Sequence, residues 1–79
     1  MKRILDNDKS INITGENIGK LRRKAGLSQR QLSEKMELEA VYTCRGSISR
    51  IENGQRAVTD IELAAIAKIL GVAVDELFK

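Results

Sequence analysis

The sequence predicts a compact all-α domain of five helices, and three observations carry that expectation. Aliphatic residues recur at helical spacing through successive stretches of the chain. Glycine stands just past the end of three of those stretches, at Gly26, Gly54 and Gly71. Tyr42 and Phe78 are the only aromatic residues in a chain that is 42% hydrophobic, so the core is left to Leu, Ile, Val and Ala. There is no proline, internal repeat or low-complexity segment.

Residues 1–13 lack helical periodicity. Ile11 and Ile13 alternate about Asn12, the pattern of a short extended arm packed on a domain that runs over 14–79. The first helix is expected from about Thr14, a reasonable N-cap, to Ala25, with Ile18, Leu21 and Ala25 inward and Gly26 as a left-handed stop. Ser28 caps a second helix whose Leu32 and Met36 point inward, and Gln31 at its third position completes a capping box. A short third helix spans about Thr43 to Asn53, with Ile48 and Ile51 inward and Gly54 ending it. Thr59 and Glu62 form another capping box. The fourth helix then carries Leu63, Ile66, Ala67 and Leu70 in one stripe, with Gly71 as its stop. Val74, Leu77 and Phe78 mark a last short helix.

Seventy-nine residues make one domain with a small core, to which a dimer would add burial. No apolar run approaches the roughly 20 residues that span a membrane, and the first residues lack the apolar stretch of a signal peptide. The single cysteine, Cys44, excludes an internal disulfide and fits a reducing, cytoplasmic setting. With no histidine and one cysteine there is no zinc constellation and no usual catalytic dyad; no enzyme activity and no cofactor are expected.

The net charge is only +3, but it is segregated. Residues 20–35 hold Lys20, Arg22, Arg23, Lys24, Arg30 and Lys35 against Glu34 alone. Residues 44–57 hold Arg45, Arg50 and Arg56 against Glu52. Residues 58–79 carry four carboxylates against Lys68 and Lys79. The positive charge therefore lies on the first three helices and their connections while the C-terminal part is acidic, as a polyanion-binding face requires; a plain solvated surface is the bland reading.

The second and third helices, with the connection between them, read as a helix-turn-helix, which lays its second helix in the DNA major groove. Five blocks then match one family in order: Ile-Gly-Lys-Leu-Arg at 18–22, Leu-Ser-Gln at 27–29, Ile-Ser-Arg-Ile-Glu-Asn-Gly at 48–54, Leu-Gly-Val at 70–72 and Val-Asp-Glu-Leu-Phe at 74–78. From about Asn17 to Phe78 the chain resembles the lambda-repressor-like (Cro-type, XRE-like) helix-turn-helix family of bacterial and phage regulators. The 21-residue step from Ser28 to Ser49 is longer than is usual there. The surplus falls in residues 36–44, where it is expected to lengthen the second helix and replace a tight turn with a loop. A subset of the family resembles this chain in that respect, and also in Gly-Gln-Arg-Ala-Val-Thr-Asp at 54–60.

The resemblance implies that Gln29, opening the second helix, meets the DNA backbone or the first base pair, with Arg30 beside it. Arg45, Ser47, Ser49 and Arg50 fall on the third helix; arginine can grip guanine O6 and N7 with two bonds, whereas serine reads little. For either arginine the alternative is an exposed surface residue, and for Arg50 an ion pair with Glu34 or Glu52. Asn53, Gln55 and Arg56 follow that helix where relatives meet phosphates, though Asn53 could be only a C-terminal cap. Lys20, Arg22, Arg23 and Lys24 wind around one helix, so at most one or two reach DNA. Gly46 is odd within a helix: either it lets the helix approach the groove closely or it is a tolerated accident. Cys44 lies at or beside the N-cap of the third helix, a place that can lower a thiol pKa and so allows a redox switch.

These residues point to a cytoplasmic DNA-binding transcriptional regulator, a repressor acting as a homodimer on a palindromic operator in double-stranded DNA. No membrane and no small-molecule effector are expected. Val72, Val74, Leu77 and Phe78 are the candidate dimer surface, or else ordinary core. The rival reading is a protein-interaction module, such as the antitoxin half of a toxin–antitoxin pair. RNA binding is weaker, because the aromatic residues that stack on single-stranded bases are nearly absent.

Overall fold

A computed structural model of the chain describes residues 11–79. Four α-helices follow in order, α1 (Gly15–Lys24), α2 (Gln29–Leu38), α3 (Arg45–Glu52) and α4 (Asp60–Leu70), and a 3-10 helix closes the chain at Val74–Phe78. The fold is the expected all-α one, with the fifth helix of the tighter kind; no strand forms among the described residues. A 3-10 turn suits so short a segment, where an α-helix would gain few hydrogen bonds.

The helix ends follow local chemistry. Ser28 Oγ accepts from the Gln31 N–H and Gln31 Oε1 accepts from the Ser28 N–H, the full box at the head of α2. Thr59 and Glu62 repeat it on α4. Gly26 lies at φ 77° and carries the chain out of α1, where the Leu27 N–H reaches back to the Arg22 carbonyl. Thr14 holds the N-cap position of α1, but its buried hydroxyl makes no bond. Asn12 does that work instead, its Oδ1 accepting from the Gly15 N–H.

Asn12 also donates to the carbonyls of Ile51 and Arg56, and the Ile11 N–H donates to the Gly54 carbonyl. The arm therefore meets the domain with its polar residue inward, while Ile11 and Ile13 are exposed. Carbonyls at the end of α3 need donors, and an amide supplies them where isoleucine cannot. The rest of the arm, residues 1–10, lies outside the described residues.

Ile18, Leu32, Met36, Ile48, Ile51, Ile66 and Leu77 are each at most 1% exposed and form one core, with Leu21, Leu63, Leu70 and Val72 packed against it. Each such side chain contributes about 1.5–3 kcal/mol of burial. Ala25, expected inward, is exposed at the end of α1. The inward face of α1 is Gly15, Ile18, Gly19 and Arg22. A Cβ on Gly15 would fall on the Ile51 carbonyl oxygen, so glycine there lets α1 approach the backbone of α3.

Candidate nucleic-acid interface

α2 reaches Leu38, inside the surplus segment, and residues 39–44 form the loop to α3. Ala40 leaves α2 at φ 60°, a left-handed conformation that strains any residue with a Cβ. The bonds Ala40 N–H to Glu37 O and Val41 N–H to Met36 O close the helix there.

Two buried carboxylates hold α3, one at each end. At its last residue, Glu52 takes the Arg22 guanidinium through both oxygens, at 2.7 and 3.1 Å, and both side chains are about one-tenth exposed. Arg22 spends its third donor on the Leu27 carbonyl, 2.8 Å away, and Gln29 Nε2 donates to Glu52 Oε1 at 3.0 Å. One carboxylate thus ties α1, the α1–α2 turn and the head of α2 to the end of α3.

Beyond the other end, Glu62 on α4 accepts from Thr43 Oγ1 at 2.9 Å and from both terminal nitrogens of Arg56 at 3.0 Å. Thr43 immediately precedes the N-cap Cys44, and its own carbonyl accepts from Ser33 Oγ on α2. Burial pushes the Glu62 carboxyl up. The bonds from Arg56, the Thr59 N–H and Thr43, with the charge of Arg56, outweigh that and hold it at about 2. Arg56 is raised in turn, chiefly by its hydrogen bond to Glu62.

What remains outward on α3 is Arg45, Gly46 and Arg50, with Ser47 and Ser49 half-buried and Asn53 exposed just beyond. Arg45 and Arg50 have no carboxylate partner among the described residues, because Glu34 pairs with Arg30 and Glu52 with Arg22. The Asn53 backbone caps α3 while its side chain stays exposed. Gln55 is exposed as well. Cys44 is exposed at the N-cap, 3.4 Å from Ser47 Oγ. Its thiol sits below the usual range, first through the Ser47 side chain and then the Ser47 backbone N–H.

Between the heads of α2 and α3 lies a cleft of about 480 Å³ lined by Arg22, Ser28, Gln29, Arg30 and Arg45. Helix N-termini present N–H groups without intrahelical acceptors, and with Arg30 and Arg45 on its walls this cleft suits an anion the size of a phosphate. The structure therefore brings together Gln29, Arg30, Arg45, Ser49, Arg50 and Asn53 on or beside one face. It does not free Arg56, whose guanidinium is committed to Glu62, and Ser47 turns its hydroxyl toward Cys44. Of the four cations on α1, Arg22 is buried; Lys20 pairs with Glu16 at 3.4 Å, an exposed pair of little energetic weight.

Reading the sequence missed Glu52 and Glu62 as the residues that position this face. The signal for Glu62 was half present, in the capping box; for Glu52 none was, since its partner lies 30 residues away. No cluster of residues suited to hold a metal ion occurs among the described residues, and no helix of theirs is long and apolar enough to cross a membrane. A family model described as helix-turn-helix matches residues 18–77. No curated protein and no solved structure matches the chain.

Proposed function

The chain belongs to the helix-turn-helix family of lambda-repressor and Cro type, whose members are DNA-binding regulators, and from this we propose that it reads a specific duplex sequence as a repressor. The observation that carries the proposal is the outward face of α3, where Arg45 and Arg50 stand exposed without carboxylate partners among the described residues while both ends of the helix are held. α3 enters the major groove, with Arg45 and Arg50 on guanine edges or phosphates and Ser49 and Asn53 beside them. A phosphate lodges in the cleft between the helix heads, against Gln29 and Arg30, and Gln55 lies along the backbone. Arg56 acts through Glu62 by holding the chain beyond α3, and Ser47 stands behind the contact face.

The regulator acts as a homodimer on a palindrome, with half-sites roughly 10 base pairs apart or a multiple of that. Leu77 is core and Val72 packs on it, so the dimer surface reduces to Val74 and Phe78, which are 42% and 50% exposed. Occupying a promoter excludes polymerase. A second reading, protein interaction, draws on Leu38 and Tyr42, which stand 86% and 78% exposed in and beside the loop.

Selection of bound sequences from a random-duplex library tests the proposal, with Arg50→Ala in parallel. A palindrome enriched by the wild type and lost by the variant is the expected result. No enrichment by the wild type would overturn it and transfer the weight to a protein partner. Salt titration separates the two: phosphate-mediated binding weakens steeply with salt, and apolar docking does not.

A further inference from the structure

The chain has six glycines, and the structure accounts for five of them within the fold. Gly26, Gly54 and Gly71 sit at positive φ. A Cβ on Gly15 would strike the Ile51 carbonyl, and one on Gly19 would crowd Glu52 and Arg23 at 3.2–3.3 Å. Gly46 is different. It lies inside α3 with no positive φ, and a Cβ there would meet nothing within 4 Å. Glycine within a helix weakens it relative to alanine, because the backbone loses more freedom on folding. The free protein therefore carries an unfavourable residue that its own packing does not require, and carries it at the second position of α3, between Arg45 and the turn that bears Arg50.

We propose that Gly46 is a specificity-determining position of α3. The absence of a Cβ lets the helix backbone close against a base-pair edge in the major groove, so that the flanking Arg45, Ser49 and Arg50 reach their partners. This rests on the duplex-binding reading above. The requirement comes from outside the described fold, since the space over Gly46 is open among the described residues. A methyl group at this position stands between α3 and the DNA and holds back the whole outward face, not one contact. Contacts to phosphates at the cleft, made by Gln29 and Arg30 on α2, are displaced less.

The test is Gly46→Ala, measured against the wild type in three ways: thermal midpoint, affinity for the duplex selected by the wild type, and affinity for an unrelated duplex of equal length. The variant is expected to melt at or above the wild-type temperature. It should bind the selected duplex about tenfold or more weaker, as over-packing a fitted interface does, and the unrelated duplex within about twofold. Unchanged affinity for the selected duplex overturns the proposal. So does a lower melting temperature, which makes Gly46 a requirement of the fold. A wild type that selects no duplex overturns the duplex-binding reading itself, a failure visible before the variant is made.

Discussion

Replacing Glu62 with glutamine preserves the length of the side chain and its place in the Thr59 capping box, but removes the charge that Arg56 and Thr43 surround. The carboxyl titrates near 4.5 when free and at about 2 in the fold. Because the folded value is the lower, the stabilisation is fully present above about pH 4.5 and is lost as pH falls toward 2. At 1.36 kcal/mol per pH unit the contribution is about 3 kcal/mol at neutral pH, out of the ~4–12 kcal/mol expected for a domain of this size. By the same linkage about 1.4 kcal/mol of it survives at about pH 3. The stability difference between wild type and Glu62→Gln should therefore shrink by about 2 kcal/mol between about pH 7 and about pH 3. Urea unfolding followed by far-UV circular dichroism at the two pH values measures it. A difference that stays constant with pH would refute the argument, because Arg56 and Thr43 would then not favour the charged carboxylate.

Two further experiments probe the frame around α3. Ala40→Gly relieves the left-handed strain at the end of α2 and should raise stability by about 0.5–1 kcal/mol, read as a higher urea midpoint at unchanged slope. Arg22→Met alone leaves Glu52 buried without its cation and should cost about 3–5 kcal/mol, whereas Arg22→Met with Glu52→Leu should recover part of that loss; a double-mutant cycle on unfolding free energies checks it.

Most helix ends were legible because each depends on residues a few positions apart: Ser28 with Gln31, Thr59 with Glu62, and a glycine beyond the stops of α1, α3 and α4; the end of α2 at Ala40 carries no such mark. The inward residues of α2 and α3 were legible for the same reason, since spacing alone assigns Leu32, Met36, Ile48 and Ile51 to one face. How the arm docks was not legible, because the carbonyls of Ile51 and Arg56 that draw Asn12 in come from residues some 40 positions away. The interface suffered from the same blindness. Arg22 and Arg56 were counted among available cations, although each is matched to a carboxylate in three dimensions. A charge count sees neither match. Sequence proximity placed Arg45, Ser49 and Arg50 on one helix, and the structure was needed to show that the two arginines stand without carboxylate partners among the described residues.

The position of α3 is set by residues that lie outside the loop leading into it, apart from Thr43 at its very end. Arg22 and Gln29 fix one end through Glu52, and Glu62 fixes the other. The loop that joins α2 to α3 is thus closer to a cable between two bolted plates than to a hinge. Closing a somewhat longer or shorter flexible connection costs little, roughly 0.6 kcal/mol per doubling of length. Upstream of Thr43 the loop packs Val41 against the core, so it is the exposed Ala40 and Tyr42 around it that can vary without re-aiming the helix they lead to. In a lineage of such domains, that freedom lets this edge of the molecule acquire new surface while the face on α3 stays where it is.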